Sequence, residues 1–353
     1  YRYINANVVD YFATLKTPYS PFLPSFWATE SLLPILQNFS GNVIFYQLLL
    51  WSSGVFTLVM GRWVASVFYM RGWTKSQESG KVKVSKNPLF AKVIQYATVM
   101  CQKQTRAFIA KDIMTFFRDS TQWSQLLLLL ALIVVYLYNF SVLPLDRSPL
   151  PTFYLQNLIS FLNMGLAGFV LSAIAVRFVF PLVSIEGRSF WILKSSPLTL
   201  DSLLWSKFIV GLLPLLVLAE LLIVLSNYLL RVSSFMMYLS SITVFFMTFG
   251  ITAMGIGIGA IYPRFNAENV SQVSTGFGGL FYMLCSMIFI GLIVILEAWP
   301  VYLIFMAKLT GGNLSYNEWT FVVVSFCFVG ILNIIAFVFP MKLGLKNLSV
   351  LEF

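Results

Sequence analysis

Residues 276–296 read Gly276-Phe277-Gly278-Gly279-Leu280-Phe281-Tyr282-Met283-Leu284-Cys285-Ser286-Met287-Ile288-Phe289-Ile290-Gly291-Leu292-Ile293-Val294-Ile295-Leu296, a run without a charged side chain. A helix needs ~20 mainly apolar residues to cross the hydrocarbon of a bilayer, and this stretch has them. Residues 43–70, 125–144, 155–183, 208–230, 235–261 and 319–341 qualify on the same ground. One such run can be a buried core helix; seven in one chain call for a different solvent. The chain of 353 residues is 59% hydrophobic and 10% charged, with mean hydropathy +0.84. Soluble domains carry about 25% charged residues. The expected fold class is all-α, a polytopic transmembrane helix bundle, with membrane lipid as its surroundings.

Composition also excludes chemistry. There is no histidine, the commonest general base and metal ligand. Cys101, Cys285 and Cys327 are widely separated and form no CxxC pair, so neither a zinc site nor a disulfide framework is suggested. No GxxxxGK[ST], HExxH or GxSxG occurs. No enzyme activity is therefore expected of this chain, and no cofactor or metal in it. The run Met254-Gly255-Ile256-Gly257-Ile258-Gly259 lies inside an apolar span with no strand before it. It reads as small residues that let helices approach closely in lipid, not as a dinucleotide site.

The net charge of +10 is unevenly placed. Residues 71–122 carry Arg71, Lys75, Lys81, Lys83, Lys86, Lys92, Lys103, Arg106, Lys111 and Arg118 against Glu78, Asp112 and Asp119. Basic loops stay cytoplasmic, so the charge reports orientation and implies no nucleic acid. Alternation then puts 184–207, 262–275 and the C-terminal tail with Lys342 and Lys346 inside, and 145–154, 231–234 and 297–318 outside. Residues 1–42 fall outside, so an odd number of spans is expected before Tyr1 if the true N-terminus is cytoplasmic.

Three segments are neither plain loop nor span. In 106–118, Ile109, Ala110, Ile113, Met114, Phe116 and Phe117 share one helical face, with Lys111, Asp112, Thr115, Arg118 and Asp119 on the other. This reads as an interfacial helix or as a helix packed on a partner. Residues 300–309 are too short to span and precede Thr310-Gly311-Gly312, which suits a short outer helix. Residues 184–197 open with Glu186 and Arg188, continue through Phe190, Trp191, Ile192 and Leu193, and break at Ser195-Ser196-Pro197. Thr199 can cap the following helix, with Asp201 in its first turn. A short helix there is a lever able to pass a partner's movement into the membrane, or else an amphipathic connecting loop. Its aromatic turn is costly to expose, so lipid or protein should cover it.

Among intramembrane polar residues, Glu220 is the candidate for a pathway or gating role, or for a buried packing pair. Asn139, Asn157, Asn163, Asn227 and Asn333 read as interhelical hydrogen-bonders, and Arg62 and Arg177 as snorkelling side chains. Pro24-Ser25-Phe26-Trp27, then Ser40-Gly41-Asn42 and a span, echo Pro300-Val301-Tyr302, then Gly311-Gly312-Asn313 and a span. On this reading 1–70 ends a first half, 71–105 is a basic linker, and 106–353 is a six-span second half.

Four stretches carry a resemblance: Lys111-Asp112 with Arg118-Asp119-Ser120-Thr121-Gln122-Trp123-Ser124-Gln125; Arg177-Phe178-Val179-Phe180-Pro181; Ser184-Ile185-Glu186-Gly187-Arg188-Ser189-Phe190-Trp191; and Pro263-Arg264-Phe265-Asn266-Ala267-Glu268-Asn269. Over 106–279 the chain resembles the membrane subunits of an ABC exporter family related to the ABC-2 type exporters, and more thinly back to Pro21-Phe22-Leu23-Pro24-Ser25-Phe26-Trp27. Asn266 departs from the acidic residue expected there. The resemblance implies a permease of a bacterial inner membrane, working by alternating access and energised by a separate ABC ATPase, in two copies, that holds ATP and Mg. Further membrane subunits are possible partners. It makes 106–118 a connecting helix and 184–197 a coupling helix, with Glu186, Arg188, Phe190, Trp191 and Leu193 meeting the ATPase. An ion-gradient-driven secondary transporter and a non-transporting membrane scaffold are the rival readings; a secondary transporter predicts more midplane titratable groups than Glu220 alone.

Overall fold

The computed structural model describes residues 21–37, 41–69, 72, 103–118, 120–141, 152–195, 199–267, 269–310, 312 and 315–351, with 103, 117, 118, 120–126, 128, 141, 188, 189, 309 and 310 described by their backbone only. No strand occurs among them. The chain divides into two compact units, 1–91 and 92–353. In the first, α1 (Pro24–Gln37) lies against α2 (Val43–Val64), which runs on through a π turn, Ala65–Tyr69. No residue of α2 is buried against protein, as suits a helix whose surroundings are lipid.

The second unit begins with α3 (Lys103–Arg118), α4 (Ser120–Ser141) and α5 (Thr152–Phe178). Two 3-10 turns, Phe180–Leu182 and Ser184–Ser189, lead into the short α6 (Phe190–Ser195). Then follow α7 (Leu200–Leu230), α8 (Ser234–Ile261), the short α9 (Val270–Ser274), α10 (Phe277–Thr310) and α11 (Tyr316–Val350). Six helices are long and apolar enough to cross a membrane: Val43–Tyr69, Thr152–Gly187, Leu200–Leu230, Ser234–Ile261, Phe277–Lys308 and Tyr316–Val350. The chain is a multi-pass membrane protein. The seventh expected span falls on α4, whose described apolar part, Leu129–Phe140, is shorter than a span.

Helix α8 is the axis of this unit and packs on α5, α7, α10 and α11. Its most apolar window is 78% buried in protein, against 28% for that of α11. The glycine run makes this possible. Gly255 sits under Val179, Gly257 on the backbone of Pro340, and Gly259 on the carbonyl of Phe180; a Cβ at either of the last two would overlap backbone. From the other side, a Cβ on Gly344 would come within 2.7 Å of the Gly257 carbonyl. Where lipid tails are as apolar as the side chains, such close van der Waals contact is what favours association.

Polar groups finish the helix ends and tie the helices together. Thr199 accepts from Ser202 N–H and Ser233 from Met236 N–H, both at 3.4 Å, so the cap expected at Thr199 forms. Asn347 donates to the carbonyls of Ala260 and Ile261 at 3.1 and 3.0 Å, closing the C-terminus of α8. Away from that end, Asn157 accepts from Ser233, Asn163 donates to Ser226, and Asn227 bridges Ser160 and Ser240. These three asparagines join α5, α7 and α8 as expected. Among the described residues Asn333 bonds Val329 of its own helix and no other helix, and Asn139 is exposed.

The structure corrects two boundaries. Residues 300–309 are not a separate outer helix: α10 continues through Pro300 to Thr310. Proline removes the N–H that would bond Leu296 and so invites a break. Ser325 of α11 donates to that Leu296 carbonyl at 2.6 Å instead, and the helix persists. The echo between Pro24 and Pro300 weakens accordingly, since Pro24 opens a helix and Pro300 sits inside one. Lys207, expected at the end of a loop, lies two turns inside α7.

Candidate functional site: a charged joint

The last turns of α5, the first of α7, the 262–267 loop and the end of α11 meet at one end of the second unit, and α3 lies against α7 there. On α3 the buried positions Thr105, Phe108, Ile109 and Asp112 follow helical spacing. Asp112 thus faces protein, whereas periodicity assigned it to the polar face. The segment after α5 must reverse toward α6, and it does so at Gly187, with φ 57° and ψ −146°. Few residues other than glycine adopt that conformation. The 262–267 loop holds the turn: Arg264 N–H donates to Ser184 Oγ at 3.1 Å, and Phe190 stacks on Phe265 with centroids 4.7 Å apart.

Glu186 is thereby delivered to two lysines. Lys111 Nζ lies 2.6 Å from both of its carboxylate oxygens, and Lys207 Nζ bonds Oε1. Lys207 also pairs with Asp112 at 2.9 Å, and Lys111 reaches Asp112 at 3.6 Å. The side chain of Lys207 is 1% exposed, those of Asp112 and Glu186 8% each, and that of Lys111 44%. Two cations and two anions balance, which is how charge is tolerated in such a place. The four residues come from α3, the 184–189 turn and α7, so none of the three can shift without disturbing a buried pair. A cavity of about 330 Å³ adjoins the joint, lined by Lys111, Asp112, Thr115, Ile185, Glu186, Ile192 and Leu193.

The residues expected to meet a partner are distributed unevenly. Glu186 is in the joint. Phe190 is fully buried and cannot touch a partner directly; stacking on Phe265 covers it. Leu193 is half-buried against the core. Trp191 and Ile192 are 57% and 51% exposed and form the outward face of α6. The side chain of Arg188 lies outside the described residues. Lys194 donates to the carbonyl of Leu351, fastening α6 to the end of α11. Glu220 is apart from the joint, thirteen residues and about 20 Å further along α7. It is half-buried, with Oε1 enclosed and without a hydrogen-bond partner among the described residues.

Sequence reading missed Lys111, Asp112 and Lys207 as one cluster. The signal was available for Lys207, because a helix capped at Thr199 must contain it. Glu297 was missed too. It is 1% exposed inside α10, accepts from Thr243 at 2.8 Å, and keeps Oε2 without a partner among the described residues.

Three of the four stretches that carry the family resemblance contribute to this joint or its clamp: Lys111-Asp112, Ser184 to Trp191, and Pro263 to Ala267. The fourth supplies Val179 and Phe180, on which Gly255 and Gly259 pack. Among known proteins, no curated protein and no solved structure matches the chain. The model of the family described as "Putative ATP-binding cassette" matches residues 3–353. That description names a cassette, while this sequence carries no GxxxxGK[ST] run and its described residues form a membrane bundle. With nearly its whole length matched, the chain belongs to that ABC family, as a multi-pass member whose architecture fits a membrane transport role.

Proposed function

We propose that the chain is the transmembrane permease subunit of an ATP-driven exporter, moved by alternating access and coupled to a separate ABC ATPase that holds ATP and Mg. The observation that carries this reading is the charged joint with α6 fixed to it. A partner pressing on Trp191 and Ile192 moves a helix tied through Phe190 to the 262–267 loop and through Lys194 to α11. Through Glu186 the same segment is tied to α3 and α7. Displacement at one surface is thus passed to several helices at once, which is what energising a bundle from outside the membrane requires. The excess of Lys and Arg in residues 71–122 supports a cytoplasmic position for this end, where ATP is available.

The test is reconstitution of the native complex in vesicles, followed by ATPase and transport assays. Trp191→Ala should keep the permease folded while releasing the ATPase or uncoupling hydrolysis from flux. Unchanged assembly and transport in that variant would overturn the coupling role. A gradient-driven transporter is favoured by one observation, that Glu220 Oε1 and Glu297 Oε2 are enclosed without a hydrogen-bond partner among the described residues. It predicts flux without nucleotide that collapses when the ion gradient is dissipated.

A further inference from the structure

We infer that the wedge between α3 and the membrane-spanning helices is a binding site for one acyl chain of a lipid in the leaflet nearest the charged joint. A cavity of about 350 Å³ lies there. Ile109, Ile113 and Phe116 of α3 form one wall, residues 209–218 of α7 the other, and Phe178 and Leu182 the floor. Every lining side chain is apolar. Apolar cavities do not hold water, and at about 30 Å³ per small group this one has room for on the order of ten methylenes.

Its depth identifies the occupant. Lys111, 44% exposed in the joint, and the exposed Asp201 in the first turn of α7 mark the level of the interface, because charge open to the surroundings is not left in hydrocarbon. Residues 209–218 lie roughly 3–16 Å further along the helix than Lys207 of that joint, at about 1.5 Å per residue. That is the leaflet-deep half of a hydrocarbon core about 30 Å thick, where the medium is acyl chain. Two residues of α7 shape the wall of the space. Gly211 brings no side chain, and a Cβ there would stand 3.2 Å from Val179. Pro214 lines the cavity inside α7. On α3, the partly exposed Arg106 stands one turn before Ile109, where an anionic lipid phosphate is favoured. A chain seated here fills the gap behind the helix that carries Lys111 and Asp112, so lipid occupancy holds α3 at the distance the joint requires. The inference needs only the membrane embedding of the chain and is independent of the exporter reading.

The test uses the full-length protein in vesicles of phosphatidylethanolamine and phosphatidylglycerol, doped with a phosphatidylglycerol that carries a diazirine near the end of one acyl chain. After illumination, adducts are mapped by mass spectrometry. Peptides covering 109–116 and 209–218 should be labelled several-fold above the exposed face of α11 at Ile331, Ile334 and Ile335, which reports ordinary annular lipid. Ile113→Trp, and Leu213→Trp from the opposite wall, should each lower labelling in the cavity several-fold and leave the α11 level unchanged. Labelling no higher than on α11, or unaffected by both substitutions, would overturn the assignment. So would a photoactivatable hydrocarbon without a headgroup that labels the cavity where the lipid does not.

Discussion

Replacing Lys207 by methionine keeps the length and most of the apolar stem while removing the ammonium group at the centre of the joint. At an effective dielectric constant of about 20, a pair at 2.9 Å such as Lys207–Asp112 attracts by roughly 6 kcal/mol, much of it offset by desolvation. Deleting one partner does not return that cost, because Asp112 and Glu186 stay 8% exposed with their charges. Lys111 compensates poorly. It bonds Glu186 but sits 3.6 Å from Asp112 and is partly screened by solvent. The expected loss is about 3–5 kcal/mol for Lys207→Met, against under about 1 kcal/mol for Lys111→Met. The triple variant Lys207→Met, Asp112→Asn, Glu186→Gln removes charge from both sides and should recover most of the loss, since neutral replacements of buried ion pairs are often tolerated. Thermal melting and denaturant midpoints of the purified protein in one detergent give the ranking. Equal losses in the two lysine variants, or a triple variant no better than Lys207→Met, would refute the reasoning.

Phe190→Ala removes a fully buried ring and should cost about 3–5 kcal/mol, read as a lowered melting temperature, while Trp191→Ala melts as wild type. Gly257→Val puts a side chain into the Pro340 backbone and should prevent close packing of α8 and α11, seen as aggregated material in size-exclusion chromatography, whereas Gly291→Ala, whose Cβ would meet nothing within 4 Å beyond its own stretch of helix, should be silent. Ser325→Ala leaves the Leu296 carbonyl without its donor and should cost about 1–3 kcal/mol. Glu297→Gln preserves an acceptor for Thr243 and should melt close to wild type, while Glu297→Ala should lose stability through the cavity and the orphaned hydroxyl.

The membrane bundle was legible because span length and charge asymmetry are properties of single segments. The glycine run was assigned correctly for a related reason: only helix packing needs small residues in an uncharged run. The joint was harder to read because its four members lie on three separate elements, and charge spacing along the chain says nothing of which elements meet. Asp112 illustrates this. Its helical face was counted with the polar residues around it, yet a buried lysine from α7 makes that face interior. Phe190 and Trp191 are indistinguishable in sequence, and the contacts that turn one ring inward, Phe265 among them, come from distant parts of the chain. The persistence of α10 through Pro300 likewise depends on Ser325 of another helix, which no local rule contains.

The most direct test of the account places a photoactivatable amino acid at Ile192, on the outward face of α6, in the full-length protein in its native membrane. The account predicts an adduct with a separate subunit that binds ATP, formed in the resting complex and altered in yield when ATP is hydrolysed. An intact, transport-competent complex in which position 192 cross-links to no ATP-binding subunit would contradict it.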